Sequence, residues 1–406
     1  MQAEELKRRA CDAIDGMRAE LLAISHEIHA HPELAFEEHR AAALLVDALR
    51  RAGLEVQAGV YGLETAFRAE FGAADAPVVA FAAEYDALPE IGHSCGHNII
   101  ATASVGAALA LFGLDGQLPG RVRLLGTPAE ERGAGKELMA RRGALEGVDA
   151  AMMVHPAGID LVTMPCLAIG EVEVTYRGVA AHASAMPARG VNALDGLVTA
   201  YQAIAQLRQH IEPTERIHGI ITDGGQAPNI VPERAAGRFY ARASNAGDLE
   251  RLKRRVDGCL RAGAQATGAD VEIAWGEADY LDLLTSWPLA ECYRANAEAL
   301  GRSFFPHEKL PSSVMGSTDM GNFSYRVPTI HPMISAAPPS CTIHNAEFAK
   351  WANSDLGDAA AVDGAKALAM TAIDYFADAK LRERVRESFE EASRLAGTEL
   401  PATEEE

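Results

Sequence analysis

Paired cysteines are missing from this chain. Its six cysteines, Cys11, Cys95, Cys166, Cys259, Cys292 and Cys341, lie far apart with no CxxC or similar spacing. That distribution argues against a disulfide framework and for reduced thiols. Also missing is any apolar run approaching the roughly 20 residues of a membrane span, so a membrane is not expected as a partner. Positive charge is scarce: 37 Lys and Arg against 57 Asp and Glu leave a formal charge of −20. Such a balance argues against nucleic acid and anionic lipid surfaces as partners, although a local pocket can still oppose the overall field for a small anionic ligand. No Walker loop, GxGxxG fingerprint or internal repeat stands out. The first 31 residues are amphipathic and charged, without the apolar core of a secretory signal. A cytoplasmic location is the resulting expectation.

What the chain does have is length and apolar content. With 406 residues, 48% hydrophobic and 23% charged, it reads as a globular protein of two or three domains. Residues 4–30 and 37–53 carry helical periodicity, broken at His31-Pro32-Glu33. A strand pair is expected over 54–71, strands at 78–83, 121–126 and 148–154, and helices at 99–112 and 136–142. Strands and helices alternating at this spacing predict a mostly parallel α/β sheet. The pattern changes near Ala168, where 169–176 alternates as a half-exposed antiparallel strand. A helix over 191–210, strands at 217–222 and 236–243, a helix over 246–267 and a strand at 270–275 follow. The order βαββαβ is that of a ferredoxin-like unit. After Leu284 the α/β pattern returns, with a helix at 289–300, a strand at 327–334 and a helix from 354 to about 376. The expected organisation is therefore one α/β domain, 1–167 and 286–394, interrupted by an α+β domain at 168–285, with a disordered acidic tail at 395–406.

The chemistry concentrates after the apolar run Val78–Ala83. Glu84 and Asp86 come first, then His93, Cys95 and His97 at i, i+2, i+4. In extended backbone those three side chains share a face, and nitrogen and sulfur donors suit zinc or a similar divalent ion. Each predicted strand of the first domain ends in a potential ligand: Asp86, then Glu130-Glu131, then His155. Parallel sheets bind ligands at those ends. The Glu130-Glu131 pair is the most informative feature, because neighbours in extended backbone point opposite ways. One carboxylate can then hold metal while the other serves as general base for a water acidified by the ion. Asp86 reads best as the residue that orients a ligand histidine. His182, before a helix in the inserted domain, could donate to a developing oxyanion, and Asn229 sits in a turn from which it could reach a ligand. His331 and His344 are rival candidates for a last metal ligand.

These stretches resemble the M20 metallopeptidases, and within them the branch holding aminoacylase-1-like-2 proteins and p-aminobenzoyl-glutamate hydrolase subunits. The matching segments are EYDALP, HSCGHN, GTPAEERGAGK, His155-Pro156, GVAAHASAMPARGVNALD, RIHGIITDGGQAPNIVPE, GSTDMGNFS and HNAEF, in family order along nearly the whole chain. The resemblance implies a zinc-peptidase-like α/β catalytic domain with an inserted ferredoxin-like lid and dimerisation domain. It implies one or two divalent ions, Zn2+ or Mn2+, held by Cys95, His97, Glu131, His155 and His344, with Glu130 as base. It also implies that His182 polarises a carbonyl, commonly in the partner subunit's site, that Asn229 helps bind substrate, and that the chain forms a homodimer. It favours His344 over His331, and leaves His93 outside the ligand set. Two departures stand out: His344-Asn345-Ala346 replaces His-Thr/Ser-Pro, and Asn98 replaces the Asp of hippurate-type relatives. Branch substrates are p-aminobenzoyl-glutamate, unusual dipeptides such as β-alanyl ones, and N-acyl amino acids. Arg189, Arg216 and Arg234 are equal candidates for a substrate carboxylate. Two other readings compete: an M20-like protein that binds a small ligand without hydrolysis, and a structural zinc site in which Cys95 and His97 staple a loop.

Overall fold

An apolar run such as Val78–Ala83 has to be covered on both faces, and the computed structural model shows how. It describes residues 3–114, 116–310 and 315–397; of the expected tail, 398–406 lie outside the described residues. In chain order the elements are α1 (Ala3–Ala30), α2 (His39–Arg51), β1 (Val56–Ala58), β2 (Phe67–Gly72), β3 (Val78–Ala83), α3 (His97–Phe112), β4 (Arg121–Gly126), α4 (Gly135–Arg141), β5 (Ala150–Met152) and β6 (His155–Ala157). Next come β7 (Ala168–Arg177), α5 (Ala193–Leu207), β8 (Arg216–Asp223), β9 (Arg234–Ala243), α6 (Ala246–Thr267) and β10 (Asp270–Trp275). The chain closes with α7 (Trp287–Ala299), α8 (Met320–Ser324), β11 (Thr329–Ile330), β12 (Met333–Ser335), α9 (Ala346–Trp351), α10 (Asp355–Ala377) and α11 (Ala379–Ala396). Contacts divide it into two units, one running up to Pro165 and resuming over Leu283–Leu395, the other Cys166–Asp282.

In the first unit the sheet order is β1-β2-β4-β3-β5-β11. β3 runs parallel to β4 and β5, and β5 parallel to β11, while the β1–β2 hairpin joins antiparallel at the β4 edge. The sheet is thus mixed, with a parallel centre. Alternate residues of β3 feed opposite layers. Val79, Phe81 and Ala83 pack into the core formed with α1, α2, α3 and α10, whereas Val78, Ala80 and Ala82 pack with Met139, Met320 and Phe323 on the other face. The Ala-rich α3 is buried from His97 through Leu111 and lies against α1 and α10. Gly96 permits its start: the residue has φ 77°, and a Cβ there would stand 2.6 Å from Pro156 Cγ.

The second unit is βαββαβ, with sheet order β10-β7-β9-β8 and every pairing antiparallel. Its own core joins Val172, Val174, Tyr176 and Phe239 to Leu197, Leu249, Leu252 and Val256 of the two helices. This is the ferredoxin-like arrangement expected from the element order.

Two expectations change. The single strand at 327–334 is two short strands in different sheets, because Pro332 has no N–H for a continuous ladder and the chain breaks at His331-Pro332. Helix α11 extends the chain's helical end to Ala396, where 395 onward was expected to be tail. It buries only Leu381 and Val385, so its apolar stripe is too thin to read against the surrounding charge.

Candidate metal centre

The first unit brings five of the sequence-derived candidates together at the carboxyl ends of its parallel strands. Cys95 ends the loop after β3, His97 opens α3, Glu131 follows β4, His155 opens β6 and His344 precedes α9. Cys95 Sγ is 3.3 Å from His155 Nε2 and 3.3 Å from His344 Nε2. His344 Nε2 is 3.5 Å from Glu131 Oε2, and His97 Nε2 is 3.9 Å from Glu131 Oε1. Three sets of potential ligand atoms converge closely enough to hold a cation: Cys95–His97–His155, Cys95–Glu131–His344, and Glu84–His97–Glu130. Cys95 belongs to two of these sets and His97 to two.

Glu130 and Glu131 do not lie in extended backbone. They open the turn Glu130–Gly133, entered through Ala129 at φ 60° and left through Ala134 at φ 53°. The turn lets both carboxylates approach His97 Nε2, Glu130 Oε2 at 3.8 Å, yet places them in different ligand sets. Left-handed non-glycine residues are disfavoured and gather where function over-determines the backbone. Of six such residues among the described ones, Ala129, Ala134 and His344 all flank or supply this cluster.

Asp86 stands behind the cluster. Its Oδ1 is 2.9 Å from His97 Nδ1 and its Oδ2 accepts the Glu131 N–H at 2.9 Å, so it fixes one imidazole and one loop together. Burial works to raise its pKa, but His97 prevails and holds the carboxyl below the usual range. Burial opposes charge on His97 too, while Cys95 and Asp86 raise its proton affinity well above the ordinary value. Burial pushes the Glu130 carboxyl well up, with Glu84 and Glu131 adding repulsion. Burial likewise takes Glu131 to about 7 and drives the Cys95 thiol far up, the latter helped by Glu131. His155 moves well down, through burial and then the neighbouring His331 and His97. A divalent cation among these groups would reverse the penalties on every anionic donor. His97 Nε2 and Glu131 Oε1 are buried without a hydrogen-bond partner and face that common space. The donor set of thiol, imidazoles and carboxylate, with its buried orphan atoms, fits a divalent metal ion.

Three charged residues had no assigned part in the sequence reading. Glu84 and Asp319 both pair with the Lys136 ammonium, Asp319 Oδ1 at 2.6 Å, and all three are fully buried. Glu84 stands in the cluster after β3 and Asp319 in the GSTDMGNFS segment, but nothing in the sequence pairs either with Lys136. His331 is fully buried with its ring 5.3 Å from that of His155, but belongs to no ligand set. His93 is buried beside His29, ring centroids 6.1 Å apart, and likewise lies outside the sets.

His182 and Asn229 lie in the second unit, and both are exposed. Ala183 N–H donates to Asn229 O at 3.0 Å, tying the two loops together. Ala185 N–H donates to His182 Nδ1 at 3.3 Å, which leaves the neutral ring's proton on Nε2, free to be offered to a ligand. Arg234 is paired with Asp223 and Arg216 donates to the Glu215 carbonyl, whereas Arg189 is exposed in a short turn.

The chain matches peptidase family M20/M25/M40 over residues 80–373. It is 40% identical over 402 residues to the Xaa-Arg dipeptidase of Mus musculus, covering 96% of this chain and 93% of that protein. With a p-aminobenzoyl-glutamate hydrolase polypeptide of Escherichia coli (strain K12) it shares 35% identity over 296 residues, 68% of this chain and 61% of that protein. Among solved structures, a dinuclear metal binding peptidase from the M20 family of Bacillus subtilis matches with a TM-score of 0.64 at 20% identity, covering 89% of this chain and 99% of that one. At that identity the likeness speaks to the fold.

Proposed function

The chain belongs to peptidase family M20/M25/M40, a hydrolase of C–N bonds, and from this we propose that it cleaves the amide of a dipeptide or N-acyl amino acid with Glu130 as general base. Cys95, His97, Glu131, His155 and His344 would hold one or two divalent ions. The observation that carries this reading is the shared space around Cys95 and His97, with Glu130 beside it in a separate ligand set. A bound ion would supply a Lewis acid for the carbonyl and lower the pKa of water towards ~7. Glu130 takes the proton of the attacking water as its oxygen bonds to the carbonyl carbon. The same carboxyl then delivers that proton to the amine nitrogen as the C–N bond breaks. Asp86 keeps His97 in one tautomer throughout by holding Nδ1. We assign His182 Nε2–H to the carbonyl oxygen as charge develops there, and Asn229 to substrate binding.

The name of the mouse relative makes dipeptides ending in arginine the first substrates to try. The panel is metal-reconstituted protein with alanyl-arginine, β-alanyl-arginine, p-aminobenzoyl-glutamate and N-acetyl amino acids, read by amine release. Metal-dependent turnover of one class is expected. Fully loaded protein that binds these compounds and releases no amine would instead be a small-ligand-binding protein.

We also propose a homodimer formed through the inserted unit. β8 is an edge strand of its sheet, and Ile220 and Ile221 on it are 63% and 43% exposed. An apolar edge of this kind invites pairing with another strand. Ile220→Lys is expected to weaken self-association tenfold or more, checked by sedimentation equilibrium. Unchanged association would place the interface elsewhere. Among the described residues, no helix is long and apolar enough to cross a membrane.

A further inference from the structure

Between α1 and α2 the sequence shows only a helix break. In the structure that break touches both loops that bring carboxylates to the metal centre. Glu33 O accepts the N–H of Ala87, the residue after Asp86, at 2.8 Å. Glu33's own carboxylate accepts from Arg40 N and Ala41 N at 3.0 and 2.9 Å, which anchors the turn to the start of α2. Glu38 is fully buried. Its Oε1 accepts two backbone N–H groups, Phe36 and Ala129, each at 2.9 Å, and its Oε2 accepts the Thr65 hydroxyl at 2.8 Å. Ala129 is the left-handed residue immediately before Glu130. At the far end of the same turn, the Phe36 ring lies over Gly133, where a Cβ would stand 2.4 Å from Phe36 Cε2 and φ is 113°. The turn that carries Glu130 is thus gripped at both ends from one short segment.

We propose that the segment Glu33–Glu38 is a clamp that aims the Glu130 carboxylate, with Glu38 as its positioning residue, an inference that rests on Glu130 being the base. Glu38 acts through the Ala129 backbone. A disfavoured left-handed alanine persists where its surroundings hold it, and the Glu38 carboxylate is the partner of its N–H. Burial, then the Asp86 carboxylate, push the Glu38 carboxyl up to about 7. The grip does not depend on which form is present, because Oε1 keeps both lone pairs for the two N–H groups whether or not Oε2 carries a proton. A glutamine carboxamide offers the same oxygen to the same two donors.

The test compares Glu38→Ala, Glu38→Gln, Phe36→Ala and Glu130→Gln as full-length, metal-reconstituted proteins. Three quantities are read: metal per chain, kcat and KM with the panel member turned over fastest, and amide hydrogen exchange of the peptide covering 127–135. Glu38→Ala is expected to keep its metal and its KM within about threefold and to lose roughly a hundredfold in kcat, the scale of a misplaced reacting group. Its exchange over 127–135 should rise about tenfold or more. Glu38→Gln should stay within about threefold of the parent in all three, and Phe36→Ala should lose about tenfold in kcat. Glu38→Ala with kcat and exchange both unchanged overturns the clamp, and so does a Glu38→Gln protein as impaired as the alanine variant. Should Glu38→Ala not fold, unchanged kcat and exchange in Phe36→Ala decide against it. An active Glu130→Gln protein removes Glu130 as base, while the exchange result still judges the clamp by itself.

Discussion

Glu130→Gln should retain its metal and lose kcat by roughly a thousandfold, within the 10²–10⁴-fold range of a positioned general base. Glutamine keeps the volume and one carbonyl oxygen but offers no carboxylate to take a proton at pH 7. KM should move by no more than a few-fold, because the side chain's part lies in proton transfer. Metal content, by elemental analysis of the purified protein, should match the parent, since neither set containing Cys95 uses Glu130. Compared as metal-free proteins, the variant should not be less thermally stable than the parent: burial and repulsion from Glu84 and Glu131 both penalise the charged glutamate, and the amide removes that penalty. A kcat within tenfold of the parent would exclude Glu130 as the base. A kcat loss that tracks metal loss would make it a ligand instead.

Cys95→Ala should behave in the opposite way. Its Sγ lies 3.3 Å from both His155 and His344, and it is the common member of two ligand sets. Removing it takes a donor from each set at once. Loss of a residue that merely orients a ligand costs ~10–100-fold in metal affinity, and Cys95→Ala is expected to exceed that range. Activity should vanish as prepared and return only in part at high added metal. Asp86→Asn provides the comparison, with a loss inside the 10–100-fold window, because His97 and Glu131 stay in place while their support weakens. Metal titration followed by competition with a chelator measures both. If Cys95→Ala binds metal as tightly as the parent, the two sets do not share the sulfur. If Asp86→Asn loses more than Cys95→Ala, the carboxylate is the ligand and the thiol is packing.

Much of this centre is legible along the chain because it is built at strand ends. β3 is apolar at all six positions, so its end is easily found, and Asp86, Cys95 and His97 follow within 14 residues. The same holds for Glu130-Glu131 after β4 and His155 after the next strand. Other parts are not legible. Lys136 and Asp319 meet across 183 residues of sequence, and no local pattern pairs a lysine on a short helix with an aspartate in a polar loop. His331 and His344 are alike as residues; the family resemblance pointed to His344, and in the structure His344 Nε2 approaches Cys95 while the His331 ring lies tilted beside that of His155. The Glu38 clamp was read only as a helix break, since a carboxylate that works by accepting a distant backbone N–H leaves no spacing signal.

Apolar runs, helical periodicity and a βαββαβ order were enough to determine an interrupted α/β chain and the segments from which its chemistry comes, because these patterns report burial over neighbouring residues. How the Glu pair would lie was decided by tertiary structure. Extended backbone would have sent the two carboxylates apart, but a buried acceptor at Glu38 and the Phe36 ring over Gly133 go with a turn that brings both to His97. The hydrogen bonds and packing at that turn come from residues some 90 positions away, and such distant contacts have no period in the sequence.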